Sequence, residues 1–260
     1  MLQDNFYIVL ASNLFTKEFP NNKPSHFITP LAKPLELDKE SWTCAITEIS
    51  FPLSWHNITS DENWFNIITD IHTKKPNRVR KITFNNGYYD NPKQLEAGMQ
   101  EALNIINNGV AKFEYEAVRD RFRISVKAGK KIILNSSLAR KLGFLQTEFD
   151  VGNHVSENNV DLNYDTHYMY IYSNVCAETL VGDSYVKLLR TTPSDDFRYR
   201  DLFPTKYATK TFVIPHYIPI ASSFENNIEI GITTDEGVNF GFIGGKVIIT
   251  LHFKRDKNES

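Results

Sequence analysis

Several residues in this chain are of types that could do chemistry. Gly182-Asp183-Ser184 could present a serine nucleophile. That reaction also needs a base, an orienting carboxylate and oxyanion donors. The tripeptide lies between two strand-like runs and no fitting Asp/His block follows it, so the pattern reads as a turn. Cys176 with His167 or His216 could make a thiol and its base, but nothing in their spacing is specific to that use. Cys44 and Cys176 both sit in apolar strand-like runs and read as buried free thiols. Two cysteines without paired Cys/His spacing give neither a disulfide framework nor a zinc site. Asp195-Asp196 and Asp161 with Asp165 offer oxygen ligands for calcium. They lack the alternating Asp/Asn loop with glycine that makes such a site rigid, so they read as solvated loops. No glycine-rich phosphate loop is present. The expectation is a protein that is not an enzyme, with no catalytic, cofactor-binding or metal-binding residues, no cofactor and no small-molecule substrate.

Recognition of a neighbour is the chemistry that remains. Arg119, Arg121 and Arg123 crowd one hairpin, where Glu114, Glu116 and Asp120 nearly cancel them. Cross-strand ion pairing is one reading and a contact surface is the other. Tyr88 and Tyr89 precede a helix start and read either as core or as an exposed aromatic pair used in recognition. These five residues are the candidate contact surface.

The elements that must carry them follow from the hydrophobic pattern. Hydrophobic residues make up 41% of the 260 positions and charged residues 23%, enough for a sizeable core. The 18 Phe and 12 Tyr tilt the balance toward sheet. A net charge of −2 argues against general affinity for nucleic acid or an anionic membrane, and sequence-specific nucleic-acid binding is not expected. Residues 1–11 show no secretory leader, and no run approaches the ~18 apolar residues of a membrane span. The expectation is a soluble protein made inside the host cell, in which the sequons at Asn57, Asn135 and Asn258 are chance matches.

Both ends of the chain read as strands between Pro/Asn-rich turns. Near the start these are Phe6 to Leu10, Trp42 to Phe51 and Trp64 to Ile71. Toward the end they are Tyr168 to Cys176, Tyr185 to Thr191, Thr211 to Ile214, the Ile228/Ile230/Ile232 alternation and Lys246 to Lys254. In the last, Val247, Ile249, Leu251 and Phe253 share one face. The middle differs. A helix is predicted over about Pro92 to Asn107, with Asn91 as N-cap, Gln94 in capping-box position, and Leu95, Met99, Ala102, Leu103 and Ile106 on one face. Asn108-Gly109 stops it. A hairpin, a strand at Lys131 to Leu134 and a short helix near Ser137 to Leu142, ended by Gly143, complete a compact unit. The predicted fold is mainly β: an antiparallel jelly-roll β-sandwich from residues 1–75 and 151–260, interrupted by a small α+β insert at 76–150.

An ordered set of segments then resembles Polinton/Maverick minor capsid proteins. The set begins with Phe19-Pro20-Asn21-Asn22-Lys23-Pro24-Ser25-His26-Phe27, Leu31 to Leu37, and Trp42 to Ile49. Leu142-Gly143-Phe144, Tyr170 to Asn174 and Val181 to Arg190 follow, and Gly245 to Arg255 is the most specific piece. That family is similar to virophage vertex proteins. The resemblance implies a minor capsid (penton) protein: a single jelly roll forming a homo-pentamer at five-fold vertices of the virion, beside a double-jelly-roll major capsid protein. It implies no catalytic or cofactor residues. A jelly-roll carbohydrate- or receptor-binding module without catalysis is the alternative reading of the same strand pattern.

Overall fold

A computed structural model describes residues 4–69, 77–107, 109–194 and 207–256 of the chain. The first section supplies strands β1 (Asn5–Ala11), β2 (His26–Glu36) and β3 (Trp42–Pro52). A compact second unit follows, with β4 (Trp64–Thr69), β5 (Arg78–Thr83), helix α1 (Pro92–Asn107), β6 (Ala111–Glu116) and β7 (Arg121–Val126). It continues through β8 (Lys130–Leu134), helix α2 (Ser136–Lys141), β9 (Glu148–Phe149) and β10 (Gly152–Val155). The chain then returns to strands β11 (Tyr168–Ser173), β12 (Thr179–Val181), β13 (Ser184–Val186) and β14 (Leu188–Pro193). The last are β15 (Tyr207–Thr211), β16 (Ile218–Pro219), β17 (Phe224–Thr233) and β18 (Ile248–Arg255).

Two compact units result: Met1–Trp55 with Asp165–Ser260, and His56–Tyr164. The seams therefore lie outside the 76 and 150 read from the sequence. The displaced element is β4, which looks like a sandwich strand in isolation but pairs with β5 and β8 inside the second unit. The end of that predicted strand, Asp70 and Ile71, lies outside the described residues.

In the first unit the two sheets run β1-β18-β3-β15, with β16 also on β3, and β14-β11-β17-β2. Setting aside β16 and the small β12–β13 hairpin, the strands can be ranked by order in the chain. The first then pairs with the last, the second with the next to last, the third with β15, and β11 with β14. Nested antiparallel pairing folded over two sheets is the jelly roll.

Alternation builds its core. Ile249, Leu251 and Phe253 of β18 are fully buried, as is Val247 just before the strand. Opposite them Cys44 and Ile46 face inward, then Ile49 and Phe51, a phase slip of one residue. A β-bulge absorbs it: β18 skips Thr47, whose hydroxyl donates to the Thr250 carbonyl at 3.2 Å. Without the bulge, Ile49 and Phe51 would turn outward. From the other sheet Ile228, Ile230, Ile232, Met169 and Ile171 close the core. Two predicted strands differ in extent. The run Tyr185 to Thr191 is split between β13 and β14, and Thr211 to Ile214 leaves the sheet after Thr211, its Val213 and Ile214 standing in solvent.

The second unit has its own core, which includes Phe65, Ile82, Leu95, Met99, Leu103, Phe113, Phe122, Ile132, Leu138 and Phe149. Its sheets run β5-β4-β8-β9 and β10-β7-β6. Helix α1 starts as predicted: Asn91 Oδ1 accepts the Gln94 N–H at 3.0 Å, while Gln94 Oε1 reaches back to the Asp90 N–H at 3.0 Å. Its buried face is Leu95, Met99 and Leu103. The side chain of Ile106 and all of Asn108 lie outside the described residues. Helix α2 is capped by Asn135, and Gly143 follows at φ 84°, where a side chain would strike the Asn158 carbonyl.

Candidate interaction surface

The hairpin arginines gather around one carboxylate. β6 and β7 place Glu116 opposite Arg121 and Glu114 opposite Arg123. Glu116 forms an ion pair with Arg123 on the diagonal and stands 4.0 Å from Arg119 across the turn. Asp120 adopts a positive φ of 51° at the turn, and its carboxylate accepts the Tyr115 hydroxyl at 2.9 Å. Two of the three arginines are thus held by cross-strand and turn pairing.

Tyr88 and Tyr89 sit elsewhere, between β5 and α1. Tyr89 packs against the second unit's core. Its N–H donates to Asn57 Oδ1 at 2.8 Å, Asn57 Nδ2 donates to its carbonyl at 3.0 Å, and its hydroxyl donates to the Asn85 carbonyl at 2.5 Å. Burial raises its phenol pKa. Tyr89 therefore fixes the loop before the helix, and Tyr88 is half-buried beside it.

Ser184 stands on the β12–β13 hairpin, where Gly182 takes a φ of 61° in the turn, and its hydroxyl donates to the adjacent Asp183 carboxylate. Cys176 is buried, donates to the Ser173 carbonyl at 3.4 Å, and its thiol is pushed up to about 11 by burial. Cys44 is raised further, chiefly by burial. Both cysteines are free. His167 lies beside the Asp235 carboxyl, whose pKa is raised chiefly by burial, and His216 is exposed. Asp161 Oδ1 accepts the Asn163 N–H, a local turn bond. Asp195 and Asp196 lie outside the described residues. Among the described residues no three His, Cys, Asp or Glu side chains cluster in a way that could hold a metal ion, and no helix is long and apolar enough to cross a membrane. The sequon Asn57 is buried and spent on Tyr89, Asn135 caps α2, and Asn258 lies outside the described residues.

The sequence reading missed the outward face of the β1-β18-β3-β15 sheet. There Tyr7 stacks on His252 at 4.3 Å and 12° between planes, and the Tyr217 hydroxyl meets His252 Nδ1 at 2.7 Å. Burial first, and then Lys254, hold the His252 pKa below its ordinary value. Lys254 lies over the Tyr217 ring. At the far edge, Val213 and Ile214 form an exposed apolar knuckle. Phe212 anchors it from within, and Arg190 stacks on that ring while donating to the Ile214 carbonyl at 3.2 Å. The signal was present in β1: Tyr7 and Val9 are apolar positions out of phase with the inward Phe6, Ile8 and Leu10.

No family model matches the chain, and no curated protein matches it. Among solved structures it is similar to the mavirus penton protein, with a TM-score of 0.45 and 14% identity over 97% of this chain and 100% of that one. It is also similar to a chain in the structure of the Sputnik virophage, with a TM-score of 0.47 and 11% identity over 99% of each chain.

Proposed function

We propose that this chain is a structural minor capsid protein, the penton that closes the five-fold vertices of an icosahedral virion beside a double-jelly-roll major capsid protein. The observation that carries this reading is the ordered sequence resemblance from Phe19 to Arg255, which falls on both halves of one jelly roll and on the insert between them. Phe19 to Phe27 leads into β2, Val181 to Arg190 runs through β13 to β14, and Gly245 to Arg255 is β18 with its lead-in. Most of the segments that resemble the family thus lie in or beside strands of the nested pairing, and Leu142-Gly143-Phe144 lies in the insert. The chain acts by assembly and not by catalysis: Ser184 is bonded to its neighbouring aspartate and Cys176 is kept as a buried thiol. Its place is the virion, and it is assembled inside the host cell. Five-fold closure needs head-to-tail contacts, in which one flank of the sandwich meets a different flank of the next copy.

The test is electron microscopy of particles assembled from the major capsid protein with and without this chain. Filled five-fold vertices only when the chain is present are expected. Vertices that close equally well without it, or density for it in the interior with the genome, overturn the proposal. Vertices closed without it together with binding on a glycan array would install the receptor-binding reading instead.

A further inference from the structure

The two outer edges of the β1-β18-β3-β15 sheet differ from those of its partner sheet. Strand β2, at one edge of the partner sheet, carries Pro30 and Pro34, and β14, at the other, ends in Pro193. Proline blunts an edge because it has no N–H to offer. Neither β1 nor β15 contains proline.

The hydrogen-bond phase of each edge is fixed by its neighbours. The Arg255 N–H donates to the Asp4 carbonyl and the Ser12 N–H to the Val247 carbonyl. With the register Phe6↔Phe253, Ile8↔Leu251 and Leu10↔Ile249, the even-numbered residues of β1 bond to β18. The main-chain groups of Asn5, Tyr7 and Val9 therefore point away from the sheet, and no described residue meets them. On the opposite side the Phe212 N–H donates to the Thr47 carbonyl, which assigns Lys210 and Ala208 to the ladder with β3. The main-chain groups of Tyr207, Thr209 and Thr211 point away in turn. Among the described residues, both edges thus present main-chain donors and acceptors that no strand meets, and their natural complement is another strand.

Direction agrees as well. Each neighbouring pair in this sheet is antiparallel, so β1 and β15 run in opposite senses. A copy added edge to edge, β15 against β1, continues an all-antiparallel sheet. The side chains suit burial. Val9 is 62% exposed, and Tyr7, 60% exposed, is held by its stack on His252 and so has little conformational freedom left to lose. Thr209 and Thr211 on β15 are exposed β-branched residues on the same outer face.

We infer that the occupant of the β1 edge is a second copy of this chain, its β15 pairing antiparallel with Asn5–Ala11 so that the sheet continues head to tail from subunit to subunit. The choice of β15, and not a second β1, rests on the five-fold reading, because an odd ring admits only heterologous contacts.

The test is thiol cross-linking of the full chain mixed with the major capsid protein, with vertex occupancy read in parallel by electron microscopy. Cys44 and Cys176 are buried, so an introduced cysteine is the accessible one. Val9→Cys combined with Thr209→Cys, treated with a short bismaleimide, is expected to give a ladder of covalent species ending at five chains, while either single variant runs as one chain under denaturing electrophoresis. Val9→Pro, which removes an N–H that β18 does not use, is expected to abolish the ladder given by Tyr7→Cys with Thr209→Cys while leaving the thermal midpoint of the subunit within a few degrees. Covalent dimers from Val9→Cys alone overturn the pairing, since two β1 edges have then met. Filled vertices with no ladder overturn the pairing and leave the vertex reading standing. A ladder in a protein that fills no vertices upholds the pairing and overturns the vertex reading.

Discussion

Among the described residues, Lys141 and Glu62 are the charged ones most deeply withdrawn from water, their side chains 1% and 6% exposed, and they face each other at 2.7 Å. The ammonium also donates to the Asn57 carbonyl, and Glu62 accepts from the Thr59 N–H and the Ser137 hydroxyl. Such a pair adds little net stability, because desolvation offsets its attraction, but breaking it strands a charge. Lys141→Met is therefore expected to lose about 3–5 kcal/mol in denaturant unfolding, and Lys141→Met with Glu62→Gln to lose clearly less. Equal losses would show that the pair is not what holds this corner. Leu251, fully buried on β18, is expected to cost about 2–5 kcal/mol when cut to alanine, by the same assay. His252 adds a pH dependence. Its folded pKa lies below the ordinary 6.5, so the folded state binds the proton less well than the unfolded chain. Its contribution is complete above pH 6.5 and is lost as pH falls below that value toward the depressed folded one. The thermal midpoint is expected to fall less between pH 8 and pH 5 in His252→Gln than in the parent chain. The alternation of Val247 to Phe253 made Leu251 legible from sequence, whereas nothing local marks Lys141 as buried. Its partners come from residues 57 to 62, and only the folded chain brings them to it.

Elements were legible where one periodicity ran unbroken. Helix α1 was read to its ends because cap, first-turn proline and apolar face agree. What α1 does for its neighbour was not legible. β6 is an edge strand, and α1 covers that edge with side chains: Gln100 Oε1 accepts the Phe113 N–H at 2.9 Å and Glu96 Oε2 the Tyr115 N–H at 2.8 Å. The helix thus satisfies donors that would otherwise recruit a foreign strand. Replacing both by alanine is expected to cost about 2–4 kcal/mol, at roughly 1–2 per bond. Amide exchange of Phe113 and Tyr115 is expected to accelerate more than that of Phe122 on the protected β7. Uniform acceleration would mean a general loss of stability instead. The strand at Trp64 to Thr69 was placed in the wrong sheet for a related reason. Alternation declares that a strand has a buried face but not which core buries it, and β4 finds its core through Phe65 against Phe113, a residue 48 positions later. Val213 and Ile214 misled in the opposite way, as apolar residues that extend a strand pattern yet stand outside it.

At the scale of the whole molecule, the break in the jelly roll is one of sequence and not of pairing. β3 and β11 are separated by His56–Tyr164, yet the third strand still pairs with β15 and β11 with β14, as an uninterrupted chain would require. The residues of the insert's core cluster all come from His56–Tyr164. Two consequences follow for energetics. The sandwich must close long loops between distant strands, which slows its folding, while the insert is built largely from near neighbours such as β6 with β7. The insert is therefore expected to fold alone: residues 56–164, produced by themselves, give a single cooperative thermal transition close to one seen in the full chain by calorimetry. The complementary piece, with 56–164 replaced by a flexible Gly/Ser linker, retains the other transition, since loop closure costs grow only slowly with loop length. An insert that is unfolded by circular dichroism, or a sandwich that cannot be recovered without it, would show that the units depend on each other. The outcome also bears on assembly. The strand edges argued to join subunits belong to β1 and β15, both in the sandwich. A linker variant that still yields the five-chain cross-link would assign the ring to the jelly roll alone. The insert, with its hairpin arginines and exposed Val118 at the β6–β7 turn, would then be free to meet something other than the next copy.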